Sequence, residues 1–390
     1  MVGGGPAGDA VAAGLRDAGF AGGIVLVSAE PEAPYERPHL SKGYLLGAVP
    51  RDRLRLRPAE QYRELDVELR LGERVADLGV ERRAAELESG STIPWELLCV
   101  ATGSSARRLR GFDDALYLRE LADADLLLAE LERRATLNVI GAGFIGCEVA
   151  SAAIQRGCAV QVYEALAQPL LRVLGPELGA YLAGVHRSHG VDLHLGVEAL
   201  PELSGPVVAG VGSVPRTELA ERAGLAVEGG IVVDELGRTA VPGVFAAGDA
   251  TRFWSPLYEA RIRVEHFQTA QRQGFAVGRA MAGAEDGYAE VPWFWSDQYE
   301  LNIQYAGAAL PWDQIVIRGA LGEPPFTVFY LQGEALAGAA GVNDHHTVAR
   351  ARRVMEARAR VTLDQLADPR FDLRRALPSG WAPDRPRSAR

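Results

Sequence analysis

The sequence is poor in cysteine, almost without lysine, and lacks any long apolar run. Its three cysteines, Cys99, Cys147 and Cys158, form no CxxC or CxxxxC pair. That pattern argues against a disulfide framework, a zinc cluster and a dithiol redox centre. Cys99 and Cys158 lie in apolar, strand-like stretches and read as core residues. An iron–sulfur cluster needs about four cysteine ligands, so the chain cannot hold one by itself. No stretch of about 18 uncharged apolar residues occurs, so no membrane helix is expected. The glycine motif begins almost at the first residue and leaves no room for a signal peptide, which makes a cytoplasmic location the expectation. A net charge of −10 disfavours general nucleic-acid binding. Residues 340–390 run against that balance, with 11 Arg against 6 acidic residues. Such a region suits either an acidic partner or a solvated arginine-rich helix.

What is present is a globular composition, 48% hydrophobic and 24% charged. At 390 residues the chain is too long for one ordinary core and predicts two or three domains. Of 41 basic residues only Lys42 is a lysine. Its compact ammonium differs chemically from a guanidinium.

Two stretches carry nucleotide-binding chemistry. Gly3-Gly4-Gly5-Pro6-Ala7-Gly8 is a GxGxxG motif followed by a helix-like run from Asp9 to Ala18, the strand Ile24–Val27 and Glu30. Glycines let the backbone approach a pyrophosphate, the helix N-terminus supplies N–H donors, and the acid accepts from a ribose hydroxyl. Only Met1 and Val2 precede the motif, so its first strand is expected to be short and the domain weakened by it. A second copy runs from Leu137–Ile140 through Gly141-Ala142-Gly143-Phe144-Ile145-Gly146, a helix to about Arg156 and a strand ending at Glu164. One such motif is weak evidence; two, each with strand, helix and terminal acid, predict two bound dinucleotides. Hydride exchange between FAD and a nicotinamide is the natural reason. A carboxylate at Glu164, with no cation in Ala165–Gln168, favours NADH over NADPH. The apolar run that empties into Gly248-Asp249 offers an acceptor for a sugar-chain hydroxyl, or simply an N-capping turn.

Together these motifs resemble those of the FAD-dependent ferredoxin reductases of the oxygenase-coupled type, a family that includes putidaredoxin reductase and the aromatic dioxygenase reductases. The resemblance spans about residues 1–375. It rests on GGGPAG at 3–8, PYERPHLSK at 34–42, ATG at 101–103, VIGAGFIGCEVA at 139–150 and VFAAGDA at 244–250. VEHFQTA at 264–270 and VPWFWSDQYELNIQYAG at 291–307 add to it. The resemblance implies a glutathione-reductase-like α/β architecture with two Rossmann-like domains and a C-terminal α+β domain. It implies that Arg37, Pro38, Lys42 and the Ala101-Thr102-Gly103 turn line the flavin. Asp249 is implied on the ribityl chain, Glu265 and His266 nearby, and Trp295 against the flavin ring. Lys42 is implied beside the flavin N5, paired across domains with Glu148, which meets the nicotinamide. Arg172 remains as a grip on the adenosine end of NADH, although Gln168 stands where relatives often carry arginine. The chain also departs from the family between Gly196 and Val207, where it is too short for the usual β-hairpin.

The expected domains are 1–110 with 241–288 for FAD, 111–240 for NADH, and 289–377 for the C-terminal domain, followed by a mobile Pro- and Arg-rich tail, 378–390. No metal site is expected, and the histidines His186, His189 and His194 read as solvated surface. Trp254, Trp293, Trp295 and Trp312 read as core and flavin packing. The resemblance implies a separate two-iron two-sulfur ferredoxin partner feeding an oxygenase, with Arg350, Arg352 and Arg353 as docking cations. An NADH oxidase, a rubredoxin reductase, a redox-sensing flavoprotein and a degenerate homologue are the alternatives.

Overall fold

The computed structural model describes residues 1–381; most of the expected mobile tail, 382–390, lies outside them. The part of the tail that is described, Pro378–Trp381, closes a turn through Trp381 N–H to Pro378 O. Along the chain, helix α1 (Pro6–Asp17) is followed by strands β1 (Ile24–Ser28), β2 (Val67–Leu71) and β3 (Leu98–Val100). Next come α2 (Leu121–Glu132), β4 (Leu137–Ile140), α3 (Phe144–Gln155), β5 (Val160–Glu164), α4 (Leu171–Ser188), β6 (Asp192–Leu195) and β7 (Val207–Ala209). The chain then returns to the first sheet with β8 (Val244–Ala246) and α5 (Phe267–Met281). It ends in β9 (Trp293–Gln298), β10 (Leu301–Gly307), β11 (Gln314–Ala320), β12 (Glu323–Gln332), β13 (Ala335–Val342) and α6 (His345–Glu356).

In the first sheet β1 pairs with β2 and β3 with β8, all parallel. The short first strand closes the gap between the two pairs. Val2, 6% exposed, bridges in parallel to both Val27 and Val100. Its N–H reaches Cys99 O at 2.9 Å, Ala101 N–H reaches Val2 O at 2.8 Å, and Gly3 N–H reaches Val27 O at 2.8 Å. The expected weakening is thus offset by hydrogen bonds on both edges. The helix begins at Pro6, three residues before the sequence suggested, because proline at the first helical position lacks only an N–H that would have no partner there.

The second sheet is fully parallel in the order β6-β5-β4-β7. Its core is aliphatic, with Val139, Val149 and Leu178 fully buried. The third sheet is antiparallel, in the order β9-β10-β13-β12-β11, and α6 packs on it. It grips the second unit where Gly175, at φ 77°, and Pro176 break α4. Tyr330 there donates to the Leu174 carbonyl at 2.8 Å, satisfying one of the acceptors near the break.

Two expectations from sequence fail here. His186 is buried, 2% exposed, because α4 turns it inward onto Gln298 and Tyr299. Trp254 is exposed, at 36%, on the middle strand of a small three-stranded sheet rather than in a core. No group of three or more potential metal ligands is gathered among the described residues. No helix among them is long and apolar enough to cross a membrane.

Candidate dinucleotide site

Both glycine motifs open onto one cavity of about 1250 Å³. Single-ligand pockets commonly measure roughly 300–1,000 Å³, so this one has room for more than one small ligand. Gly3, Gly5, Pro6 and Ala7 form one wall, and Gly141, Gly143, Phe144 and Ile145 another. Gly8 and Gly146 do not reach the cavity. A Cβ on Gly8 would sit 2.1 Å from Gly3 O, and one on Gly146 1.9 Å from Gly141 O. These two residues act by letting each helix close against its own loop, not by touching a ligand.

The first loop fits a pyrophosphate. A Cβ at Gly5 would meet nothing within 4 Å, so the N-terminus of α1 faces open space. The acid in the first turn of α1, Asp9, would oppose an anion but is already bonded by Arg57 and Tyr62, each at 2.8 Å. Glu30 closes this side, accepting from the Tyr35 hydroxyl and the Arg37 guanidinium. Burial and the Glu30 carboxylate raise the Tyr35 phenol well above its ordinary pKa, so it stays a donor. Arg37 also donates to Arg119 O at 3.0 Å.

Asp249 pairs with Arg119 at 2.7 Å and accepts from Ser104 Oγ at 3.2 Å. Pro38, Ala101, Thr102 and Gly103 line the same wall. Thr102 is anchored by donating to Arg216 O at 2.7 Å. Glu265 is bonded by Ser213 and Arg263. The His266 Nδ1 is buried without a hydrogen-bond partner, and burial lowers the imidazole pKa to about 4. A buried polar atom in the cavity wall with no partner in the protein is free to bond a bound group.

At the join of the two loops, Lys42 Nζ meets Glu148 Oε2 at 2.8 Å, with side-chain exposures of 10% and 3%. The 3₁₀ turn Arg37–Ser41 delivers Lys42, and the second turn of α3 delivers Glu148. Ser41 and Ser296 also donate to this carboxylate. Trp295 lines the cavity beside them. On the second side, Glu164 accepts the Ala142 N–H at 2.6 Å and the Leu166 N–H at 2.8 Å. Arg172 lines the cavity, whereas Gln168 packs back towards Gly179.

Residues 1–201 and 204–274 match the pyridine nucleotide-disulphide oxidoreductase family, and residues 293–377 match the reductase C-terminal family. The chain belongs to the ferredoxin-reductase branch of these oxidoreductases. It is 39% identical to the ferredoxin–NAD(+) reductase component of the anthranilate 1,2-dioxygenase system of Burkholderia cepacia, over 97% of this chain and 98% of that one. It is 36% identical to rhodocoxin reductase of Rhodococcus erythropolis, over 97% and 93%. The crystal structure of a covalent putidaredoxin reductase–putidaredoxin complex superposes with a TM-score of 0.92 at 34% identity, covering 96% of each chain. The oxidoreductase thus has the FAD-binding fold of its family.

The family's name includes a disulphide, but this member has none to offer. Cys99, Cys147 and Cys158 are all free and buried. Burial pushes the Cys99 thiol up to about 12.

Sequence reasoning missed Arg119, Ser41 and Ser296. Arg119 is one arginine among 40, and the two serines gain meaning only by folding onto Glu148. Of the docking arginines, Arg350 pairs with Asp372, and Arg352 pairs with Glu356 and lies over the Trp293 ring. Arg353 alone of the three has no ion pair among the described residues.

Proposed function

We propose that this oxidoreductase carries electrons from NADH, through bound FAD, to a two-iron two-sulfur ferredoxin serving an oxygenase. The observation that carries the reading is the single cavity joining both glycine loops, with the buried Lys42–Glu148 pair where they meet. The relatives support the acceptor, since they are ferredoxin reductase components of dioxygenase systems and a rhodocoxin reductase.

Gly3–Ala7, Glu30, Arg37, Pro38, Thr102 and Asp249 would hold FAD. Phe144, Ile145, Glu164 and Arg172 would hold NADH. FAD, when bound, supplies the change from a two-electron hydride donor to one-electron acceptors. The protein's own part is positioning and charge. The N-terminus of α1 presents unpaired N–H groups to phosphate. Lys42 places a positive charge at the junction of the two loops, where an anion that develops during reduction is stabilised. Trp295 and Phe294 wall the junction. Glu164, fixed by two backbone amides, is set to accept from a ribose 2′-hydroxyl and to repel a 2′-phosphate.

Stopped-flow mixing tests the reading. The yellow protein should be reduced faster by NADH than by NADPH, then reoxidised in one-electron steps by an added ferredoxin. A protein that refuses FAD, or whose reduced form reacts with oxygen but no ferredoxin, would overturn it.

A further inference from the structure

Glu148 has more partners than an ion pair needs. Besides Lys42 and Ser41, its Oε1 accepts from the Ser296 hydroxyl at 2.6 Å. Ser296 is itself one link in a series. Gln298 Nε2 donates to Ser296 Oγ at 3.1 Å, Gln298 Oε1 lies 3.0 Å from His186 Nε2, and His186 Nδ1 lies 3.0 Å from the Tyr299 hydroxyl. Ser296, Gln298 and His186 are 0%, 1% and 2% exposed, so water does not compete for these bonds. Ser296 and Gln298 alternate along β9, on the face that also presses Phe294 against Phe144 of the second glycine loop.

The sense of the series is fixed from one end. An ionised carboxylate only accepts, so Ser296 donates to it. An amide nitrogen only donates, so Gln298 gives its N–H to Ser296 and must accept at its oxygen. His186 therefore carries its proton on Nε2 and accepts at Nδ1 from Tyr299. Every proton in the series points towards Glu148. Hydrogen bonds running in one sense polarise one another, and the effect is larger where the local dielectric is low.

The far end shows that Tyr299 is there for its side chain. It occupies the two-residue hairpin turn between β9 and β10 at φ 54°, where glycine or asparagine is favoured and a bulky residue is strained. Its hydroxyl reaches His186, its ring stacks on His189 with centroids 3.7 Å apart, and its N–H reaches Ser151 Oγ at 2.8 Å, three residues along α3 from Glu148.

We propose that Ser296, Gln298, His186 and Tyr299 are positioning residues, a one-way hydrogen-bond relay that holds the Glu148 carboxylate aimed at Lys42. The proposal rests on the reading that this pair stands in the reaction site. The groups facing Glu148 are Lys42 and Ser41 from the segment before it, Ser296 from β9 and the buried thiol of Cys147 on α3. Those facing His186 are Gln298, Tyr299 and His189, the last within reach of Glu300 at 3.4 Å.

Two measurements test it, one without flavin chemistry. In protein labelled with ¹⁵N-histidine, the His186 resonance, assigned by its loss in His186→Asn, should report a proton on Nε2 at neutral pH. A proton on Nδ1 would overturn the relay, whatever the enzyme does. In the holoenzyme, the rate of reduction by NADH is followed against pH and should show an acid limb. Ser296→Ala should move that limb up by about one to two pH units, as expected for losing one hydrogen bond to a charged group. Ser296→Thr should restore it, and Tyr299→Phe should move it the same way by less. An unchanged acid limb in folded Ser296→Ala and Tyr299→Phe would overturn the proposal. If Ser296→Ala fails to fold, Tyr299→Phe and the tautomer decide. A wild-type flavoprotein that NADH cannot reduce would sink the reductase reading instead, and the tautomer would then judge the relay alone.

Discussion

The two glycine loops share a backbone but differ in how their acids are held. In each, the last glycine packs against the carbonyl of the first, and the middle glycine faces the cavity. A Cβ at Gly5 meets nothing within 4 Å, and one at Gly143 meets only Gly210 O at 3.7 Å. The terminal acids then part company. Glu30 is engaged by the side chains of Tyr35 and Arg37, from a separate segment that folds over the cavity. Glu164 is held by two backbone amides of its own unit and makes no ion pair among the described residues. A site closed by interlocking side chains suits a group that stays, and one closed by backbone alone suits a ligand that comes and goes. That contrast fits the proposed residence of FAD on one side and exchange of NADH on the other.

The harshest way to break this comparison is to block each loop in turn. In Gly8→Ala and Gly146→Ala the new methyl meets a backbone carbonyl that cannot swing away. Overpacking of this kind costs about 1–3 kcal/mol, or roughly tenfold to a hundredfold in binding. Gly8→Ala should purify colourless or nearly so. Gly146→Ala should keep its yellow flavin and show the loss only as a raised KM for NADH. Equal flavin loss in both variants, read from visible absorbance per chain, would show that the loops do not divide the labour.

The next test acts at the join. Lys42→Met should slow reduction by NADH by about a hundredfold, the scale for removing one preorganised charge. It should also destabilise the fold by about 3–5 kcal/mol, because Glu148 is left buried without its cation. Adding Glu148→Gln should recover the stability but not the rate. A double variant that recovers both would make the pair merely structural.

How much of this was legible in the sequence depends on the kind of signal. The loops could be read because their chemistry is local: glycine spacing, a helix, a strand and an acid in fixed order. Lys42 could be read because it is the one lysine among 41 basic residues. Its pairing with Glu148, more than a hundred residues away, came from the family resemblance and not from any pattern in the chain. Arg119 carries no residue-type signal in an arginine-rich protein, yet it pairs with Asp249. His186 was misread with its neighbours because a cluster in sequence says nothing about which member a helix turns inward. Val2 kept its place in the sheet because hydrogen bonds on both sides matter more than strand length.

A smaller effect separates the two loops by nucleotide. Glu164→Ser removes the repulsion of a 2′-phosphate but supplies no cation for it. The proposed preference for NADH over NADPH should fall by about tenfold, the equivalent of about 1.4 kcal/mol. The ratio of kcat/KM for the two nucleotides measures it. An unchanged ratio would place the discrimination elsewhere, with Arg172 the next candidate.

Smaller again is the response of stability to mild acid. Burial lowers both His186 and His266 to about 4, against an ordinary value of 6.5. Between those values the unfolded chain binds protons that the folded one refuses, so stability falls as pH drops from about 6.5 towards 4 and is flat above that window. Urea midpoints at pH 7, 6 and 5 should decline, and His186→Asn should make the decline shallower. A midpoint that rises on acidification would contradict the buried neutral state of these rings.

The last effect is expected to be zero, and it tests the member against its family's name. Cys99, Cys147 and Cys158 are 0%, 2% and 5% exposed, and burial raises all three thiols above their ordinary pKa. A protonated, inaccessible thiol is a poor nucleophile. Iodoacetamide at pH 8 should therefore leave the native protein unlabelled and the rate of electron transfer from NADH unchanged, while unfolding should release all three cysteines to the reagent. Electrons in this protein are then passed without a thiol. Activity lost in step with a single label on the native chain would put a cysteine back into the reaction.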